Sequence, residues 1–427
     1  MKCLIIGGGG REHALAWKMA GSSLFSEILV CPGNPGMKKT PNVKCISDKF
    51  LKAREIAQLE PDLVIIGPEK ILAEGLADEL KEMEISTIGP SKEAARIETS
   101  KVFAKEFMHK YSIPTASFNI ANNLEESHQI IKQWPKGKGI VLKSDELASG
   151  KGVVVTDDIH HAIESAYDFM ENPDCSVKTN SLLFEEQLYG RELSVMALCQ
   201  GENYQVIGYA QDYKRLLNGN DGPNTGGMGA ITSTELITPQ LQEKISNEII
   251  QPTLDGLKSE GIHYSGFIFF GLMISPQNEV QVIEYNARLG DPESQVILPS
   301  IDDDFGKLLI DSLKKDWAPN NWIHPNKSLV HIVATSEGYP STHGEKINTG
   351  NTISLPGIHL DNKLEAGVAF FAGVDEIDGE LINSGGRVLG LTTSDSTIKK
   401  ARKKTIESMK QINFNGIHWR DDIGLFN

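Results

Sequence analysis

On an extended strand, Glu284, Asn286 and Arg288 of the run Val282-Ile283-Glu284-Tyr285-Asn286-Ala287-Arg288 share one face. A carboxylate, an amide oxygen and a guanidinium in one row make poor core. They suit an Mg²⁺ held by oxygen ligands, with Arg288 reaching a phosphoryl group in transfer. A solvated strand face is the bland alternative. A second cluster runs Lys143-Ser144-Asp145-Glu146-Leu147-Ala148-Ser149-Gly150-Lys151-Gly152. It is not a P-loop, because Asp145 stands where glycine is needed and Gly152 follows Lys151 where Ser or Thr is needed. Strand-like residues flank it over 140–143 and 153–155, so it reads as a β-hairpin flap with a cationic, glycine-rich tip. Such a flap suits closure over a triphosphate.

The N-terminal cluster Gly7-Gly8-Gly9-Gly10-Arg11-Glu12-His13 invites a dinucleotide-binding reading, which fails on spacing. Glu12 or His13 occupies the place of the third glycine, and the second strand ends in Cys31-Pro32-Gly33 with no acid for a ribose. The loop still aims backbone N–H groups and a helix start at one point, which fits a small sugar phosphate. Three further loops, Pro32-Gly33-Asn34, Gly67-Pro68-Glu69 and Gly89-Pro90, are built for close backbone approach. A fourth run, Gln211-Asp212-Tyr213-Lys214-Arg215 followed by Asp221-Gly222-Pro223-Asn224-Thr225-Gly226-Gly227-Met228-Gly229-Ala230, reads as a long functional loop.

The elements that must position these groups fall into an α/β and α+β multidomain pattern. Strands over 2–6, 28–31, 63–66 and 86–88 alternate with helices over 12–20, 50–59 and 71–83. The strands are continuous apolar runs, as in an open parallel α/β sheet covered on both faces, whose ligands sit beyond the strands' carboxyl ends. A charged helix over 93–111 follows. Strands over 267–274 and 280–285 flank the turn Ser275-Pro276-Gln277-Asn278 and form a hairpin. Beyond residue 328 the chain is β-rich (329–335, 369–372, 388–392), with a last helix over 397–410. The Asn- and Pro-containing stretch 320–326 is the expected late boundary.

Composition narrows the function. The 427 residues exceed one compact core. A net charge of −15 disfavours nonspecific nucleic-acid binding, which needs a basic face. No apolar stretch approaches the ~18 residues of a membrane span, and the short apolar start lacks a signal-peptide cleavage site. Five scattered cysteines without a CxxC pair argue against a disulfide framework or structural zinc, and for a reducing cytosol. His160 and His161 read as a surface pair.

Taken in order, Gly9-Gly10-Arg11-Glu12-His13-Ala14, Pro32-Gly33-Asn34, Gly67-Pro68-Glu69, the flap, Gly222 to Ala230, Gly290-Asp291-Pro292-Glu293, Gly385-Gly386-Arg387-Val388 and Asp422-Ile423-Gly424 cover nearly the whole chain. With these motifs it resembles the phosphoribosylamine–glycine ligases, members of the ATP-grasp superfamily. The resemblance implies a domain over 1–100, an ATP-grasp domain over 101–322 with its flap-bearing part about 115–188, and a β-rich domain over 323–427. It implies ATP contacts by Lys101, Lys143, Ser149, Gly150, Lys151, Gly152, Glu185, Glu186, Leu188 and Glu192, and metal ligation by Glu284 and Asn286. Phosphoribosylamine would meet Gly8, Gly9, Gly10, Arg11, Glu12, Asn34, Gly67, Pro68 and Glu69. Further substrate contacts would come from Asn224, Thr225, Gly226, Gly227, Asp291 and Glu293, with Asp212, Lys214 and Arg288 catalytic. Glycine, 5-phosphoribosylamine and ATP are the expected small-molecule partners of a cytoplasmic monomer, with no further pathway domain. Against the family pattern, Ser144 and Glu146 replace Ala and Gly, Tyr213 a His, Thr99 a small residue and Leu289 a Phe. Gly271 stands where other ATP-grasp enzymes carry a second metal carboxylate. The rival readings are an ATP-grasp ligase or carboxylase for another acid, disfavoured by the run 223–230, and an inactive nucleotide sensor, disfavoured by the retained lysines, Glu284, Asn286 and Arg288.

Overall fold

The structure is a computed structural model that describes residues 1–146, 152–175, 177–341, 344–356 and 367–425. Strands β1 (Lys2–Gly7), β2 (Glu27–Pro32), β3 (Val43–Cys45), β4 (Leu63–Ile66) and β5 (Thr87–Ile88) form a parallel sheet in the order β3-β2-β1-β4-β5. Alternate residues of β1 enter opposite cores: Leu4 and Ile6 pack on one face, Cys3 and Ile5 on the other. That two-sided burial is why the strands read as unbroken apolar runs. β3 is a three-residue edge strand, too short to leave a pattern.

Several expected helices are shorter than read. The helix over 71–83 is two, Glu69–Glu74 and Leu76–Glu82, broken where Gly75 takes a left-handed φ of +96°. The one over 50–59 is a 3₁₀ turn, Asp48–Leu51, and a short helix, Ala53–Ala57, separated by extended Lys52. The one over 93–111 divides at extended Ser100, whose hydroxyl accepts from Phe103 N–H and starts the helix Lys101–Lys110.

A second, wholly antiparallel sheet, in the order β6-β9-β7-β8, comprises β6 (Phe118–Ala121), β7 (Ile140–Ser144), β8 (Val153–Thr156) and β9 (Leu182–Glu186). It has its own small core, with Leu142, Phe184, Ala162 and Phe169. β7 and β8 pair as the expected flap hairpin. Ser149, Gly150 and Lys151 at its tip lie outside the described residues.

A third sheet carries most of the remaining strands, apart from two small hairpins. It begins with β10 (Arg191–Gln200) and β11 (Asn203–Asp212). The expected long loop is instead the hairpin β12 (Arg215–Leu217) and β13 (Asp221–Asn224), followed by β14 (Gly229–Thr232), which pairs with β11. β15 (Ser265–Ile274) and β16 (Val280–Asn286) form the expected hairpin. The two-residue β17 (Asn321–Trp322) runs parallel to β11. β18 (Ser328–Thr335) pairs with β14, and β19 (Val368–Phe371), after a gap in the described chain, lies at the far edge. A small hairpin of β20 (Val374–Ile377) and β21 (Glu380–Asn383) precedes β22 (Arg387–Asp395), giving the order β16-β15-β10-β11-β14-β18-β22-β19. Nine strands thus run continuously across the 320–326 stretch.

Candidate active site

A cavity of about 770 Å³ opens where the three sheets meet. On the flap hairpin's strand β7, Lys143 is buried and lies 2.7 Å from the buried Glu185 of β9. Lys101, at the start of its helix, donates to the main-chain carbonyls of Ser144 and Glu146, each at 2.9 Å. Asp145 fixes that helix start by accepting from Ser100 Oγ and from Val102 N–H at 3.0 Å. Glu186, next along β9, pairs with Lys138 and accepts from Ser117 Oγ. Leu188 and Gly152 also line the cavity.

Across the cavity, β16 presents Glu284 and Asn286. Lys214 lies 3.3 Å from Glu192 and 3.8 Å from Glu284. Glu192, with Glu284, raises the Lys214 pKa well above its ordinary value. Burial pushes the Glu284 carboxyl up, but Lys214, Lys143, Lys101 and Arg288 outweigh it and hold it below the usual carboxylate range. Asp212, at the end of β11, is raised well above that range by burial and by Glu293. Glu293 is itself buried and accepts from Ser194 Oγ at 2.9 Å. Glu284 and Asn286 bring two oxygen donors to one wall, and among the described residues no group of three His, Cys, Asp or Glu could hold a metal. Two protein oxygens suit Mg²⁺, which keeps waters and takes phosphate oxygens for the rest of its shell.

The run after β13 is tied down by its own hydroxyl. Thr225 Oγ1 donates to Lys214 O at 2.7 Å and accepts from Gly227 N–H at 3.0 Å. Gly227 has φ +107°, and a Cβ there would stand 2.3 Å from Pro292 Cδ, so only glycine fits. Arg387, on β22, joins this run to the Asp291 loop: it donates to Gly226 O and meets the Asp291 carboxylate at 2.8 Å.

From the parallel sheet, Arg11 and Glu69 reach the cavity. Arg11 Nε lies 2.6 Å from Glu12, whose other oxygen accepts from Gly9 N–H at 2.8 Å. Glu12 fills the space under Gly7 and Gly67, where a Cβ would come within 2.5 and 2.2 Å of its side chain. The Asn34 amide donates to Gly8 O and Phe371 O, at 2.9 and 2.8 Å. The cavity lining includes Lys101, Lys143, Gly152, Glu185, Glu186, Leu188, Glu192, Asp212, Lys214, Asn224, Thr225, Gly226, Glu284, Asn286, Arg288, Asp291, Glu293, Arg11 and Glu69. It does not include Gly8, Gly9, Gly10, Glu12, Asn34, Gly67, Pro68 or Gly227. Glu12 and Asn34 spend their side chains organising the loops.

Lys105, Glu98 and Arg387 also line the cavity and were not singled out as site residues from the sequence. Lys105 follows Lys101 by one helical turn on the same face, a spacing that could have flagged it. Two departures from the family pattern have structural partners. The Tyr213 hydroxyl accepts from Gly424 N–H at 3.1 Å and its ring lies 5.4 Å from the Arg420 guanidinium carbon. Leu289 is buried, and its carbonyl accepts from both Arg11 and Arg288.

Comparison with known proteins agrees along the whole chain. Models of the phosphoribosylglycinamide synthetase N domain, ATP-grasp (A) domain and C domain match residues 1–98, 99–294 and 329–426. The phosphoribosylamine–glycine ligase of Chlorobaculum tepidum is 37% identical, and that of Clostridium acetobutylicum 39%, each over 99% of this chain and 99% of the relative. The crystal structure of phosphoribosylamine–glycine ligase from Thermotoga maritima superposes with a TM-score of 0.84 at 34% identity, covering 99% of this chain and 100% of that one. The chain belongs to the phosphoribosylamine–glycine ligase family.

Proposed function

We propose that this chain joins glycine to 5-phosphoribosylamine at the expense of ATP, through a glycyl phosphate, giving glycinamide ribonucleotide, ADP and phosphate. One observation carries the reading: a single cavity is lined at once by Lys101 and Lys143, by Glu284 and Asn286 of β16, and by Arg11 and Glu69 at the helix starts that follow β1 and β4. Three substrates must meet there. The glycine carboxylate attacks the γ-phosphorus and the bond to ADP breaks. The amine then attacks the acyl carbon, the bond to phosphate breaks, and the amine loses a proton.

No protein nucleophile is needed, so the residues position and neutralise. Lys101 and Lys143 face the ATP phosphates, and Arg288 the phosphoryl group in transfer. Glu185, Glu186 and Leu188 form the hinge around the adenine, with Glu192 on the ribose. Glu284 and Asn286 would hold Mg²⁺ or Mn²⁺, which when bound supplies positive charge to the phosphates. The N-terminal loops take the sugar phosphate, with Glu12 and Asn34 shaping them. Asn224 to Gly227, Asp291 and Glu293 bound the region between the two sites. Asp212 beside Lys214 is placed to receive the proton the amine gives up. The flap excludes water, which would hydrolyse the acyl phosphate. The division 1–100, 101–322 and 323–427 and a cytoplasmic monomer belong to the same reading, and light scattering checks the latter state.

The deciding experiment measures ADP release with glycine, with and without freshly generated phosphoribosylamine, against other amino acids. Release that requires glycine and is completed by the amine supports the reading. Equal release with another amino acid, or none with glycine, overturns it.

A further inference from the structure

Lys105 is 2% exposed, yet it lines the cavity. Its ammonium lies 2.9 Å from Glu185 Oε2, donates to Thr115 Oγ1 at 2.6 Å and stands 5.9 Å from the Phe118 ring centroid. Thr115 Oγ1 in turn donates to Val282 O on β16, the strand that carries Glu284. The other Glu185 oxygen, Oε1, lies 2.7 Å from Lys143, which also donates to Ile283 O at 3.2 Å. Two buried cations therefore share one buried carboxylate. The trio carries an excess positive charge in the cavity wall, a costly arrangement unless an anion completes it.

We propose that Lys105 is a positioning residue for ATP: by sharing the Glu185 carboxylate, it keeps Lys143 from being neutralised there and leaves its charge for the phosphates. This rests on ATP being the occupant of the cavity. Without Lys105, the whole Glu185 charge falls on Lys143, and the wall becomes a neutral pair. Adenosine has no phosphate to sense the lost charge, and Glu185, still held by Lys143, keeps its place beside the adenine.

The charged groups facing Lys105 are Glu185 on β9, Lys143 on β7 and Lys101 one turn earlier on its own helix; β6 and the Thr115 segment offer only a ring and a hydroxyl. Burial, opposed by Glu185, lowers the Lys105 pKa to about 8. Its charge is thus lost as pH rises through that value, with the same consequence as deleting it.

The test compares wild type, Lys105→Met and Lys105→Arg from pH 7 to 9, scoring the ATP KM, kcat and inhibition by adenosine. Lys105→Met should raise the ATP KM about tenfold, the worth of one charge-assisted hydrogen bond, with kcat and adenosine inhibition little changed. The wild-type ATP KM should climb above pH 8, and both variants should lack that inflection, Lys105→Arg staying low throughout. Should Lys105→Met fail to fold, wild type against Lys105→Arg decides alone. Parallel loss of ATP and adenosine affinity would reduce Lys105 to a structural brace. An inflection retained in Lys105→Arg, or an ATP KM untouched by Lys105→Met, also overturns the proposal. Glycine-dependent ADP release by the wild type tests the underlying reading separately.

Discussion

Arg288 Nε lies 3.2 Å from a carboxylate oxygen of Glu69, so the guanidinium just beyond β16 meets an acid that opens the helix after β4. The same guanidinium also reaches Glu98 at 2.9 Å and Asn286 Oδ1 and Leu289 O at 3.1 Å. Its direction is therefore set jointly by Glu69 after the parallel sheet and by Glu98, Asn286 and Leu289. Glu69→Gln should lower kcat while leaving the ATP KM near wild type, because the cation loses one guide and its site keeps its lysines. Steady-state kinetics decide the matter. A raised ATP KM with intact kcat would assign Glu69 to nucleotide binding.

Glu284→Gln removes a charge that three lysines and Arg288 hold ionised. Turnover should fall on the order of 100-fold, with an unchanged melting temperature and an Mg²⁺ activation curve moved to higher concentration. Near wild-type turnover at ordinary Mg²⁺ would remove Glu284 from the metal site.

Arg11→Ala should act on both binding and stability. The ion pair of Arg11 with Glu12 is buried, so truncation strands a carboxylate and should cost roughly 3–5 kcal/mol. The KM for phosphoribosylamine should rise with little change in that for ATP. Chemical denaturation and paired KM measurements check the two halves, and an ATP-specific defect would contradict the division between loops and flap.

Acid should destabilise the fold earlier than carboxylates alone require. Burial lowers the pKa of His13 and of His331 to about 3, from an ordinary 6.5. Between those values the unfolded chain binds protons that the native chain refuses, so stability falls as pH drops below 6.5. Each histidine contributes up to about 1.4 kcal/mol per pH unit in that window. Urea denaturation from pH 7 to 4.5 should show a slope that His331→Gln diminishes. An unchanged slope would mean that His331 titrates normally in the native state.

Glu146 has an exposed side chain, while its main-chain carbonyl accepts from Lys101. Its charge is therefore free to be solvated, and the useful contact needs no side chain. Glu146→Gly should leave the ATP KM nearly unchanged at both low and high ionic strength. A several-fold drop confined to low salt would show the carboxylate repelling triphosphate.

Much of this was legible because burial leaves a pattern. The strand Leu63–Ile66 matches its apolar run, since both of its faces are covered. The pair Glu284 and Asn286 was readable because alternation along β16 puts both on one wall, and Arg288, just beyond the strand, lines the same cavity. Lys105 was not, because its meaning lies in Glu185, distant in sequence and brought close only by the second sheet. The Asn34 amide donates to Phe371 O on β19, a partner that its glycine neighbours in sequence do not reveal. Gly75 gave no hint, inside an otherwise helical pattern, that it would turn left-handed.

The unbroken nine-stranded sheet bears on where the chain can be cut. The stretch before Ser328 looks like a convenient place for truncation. Cutting there would strip β18, β22 and β19 and leave Gly229–Thr232 as a bare rim of unpaired N–H and C=O groups, a template for intermolecular pairing. That rim begins two residues after Gly227, so the same cut that invites aggregation would also unmoor the wall of the cavity.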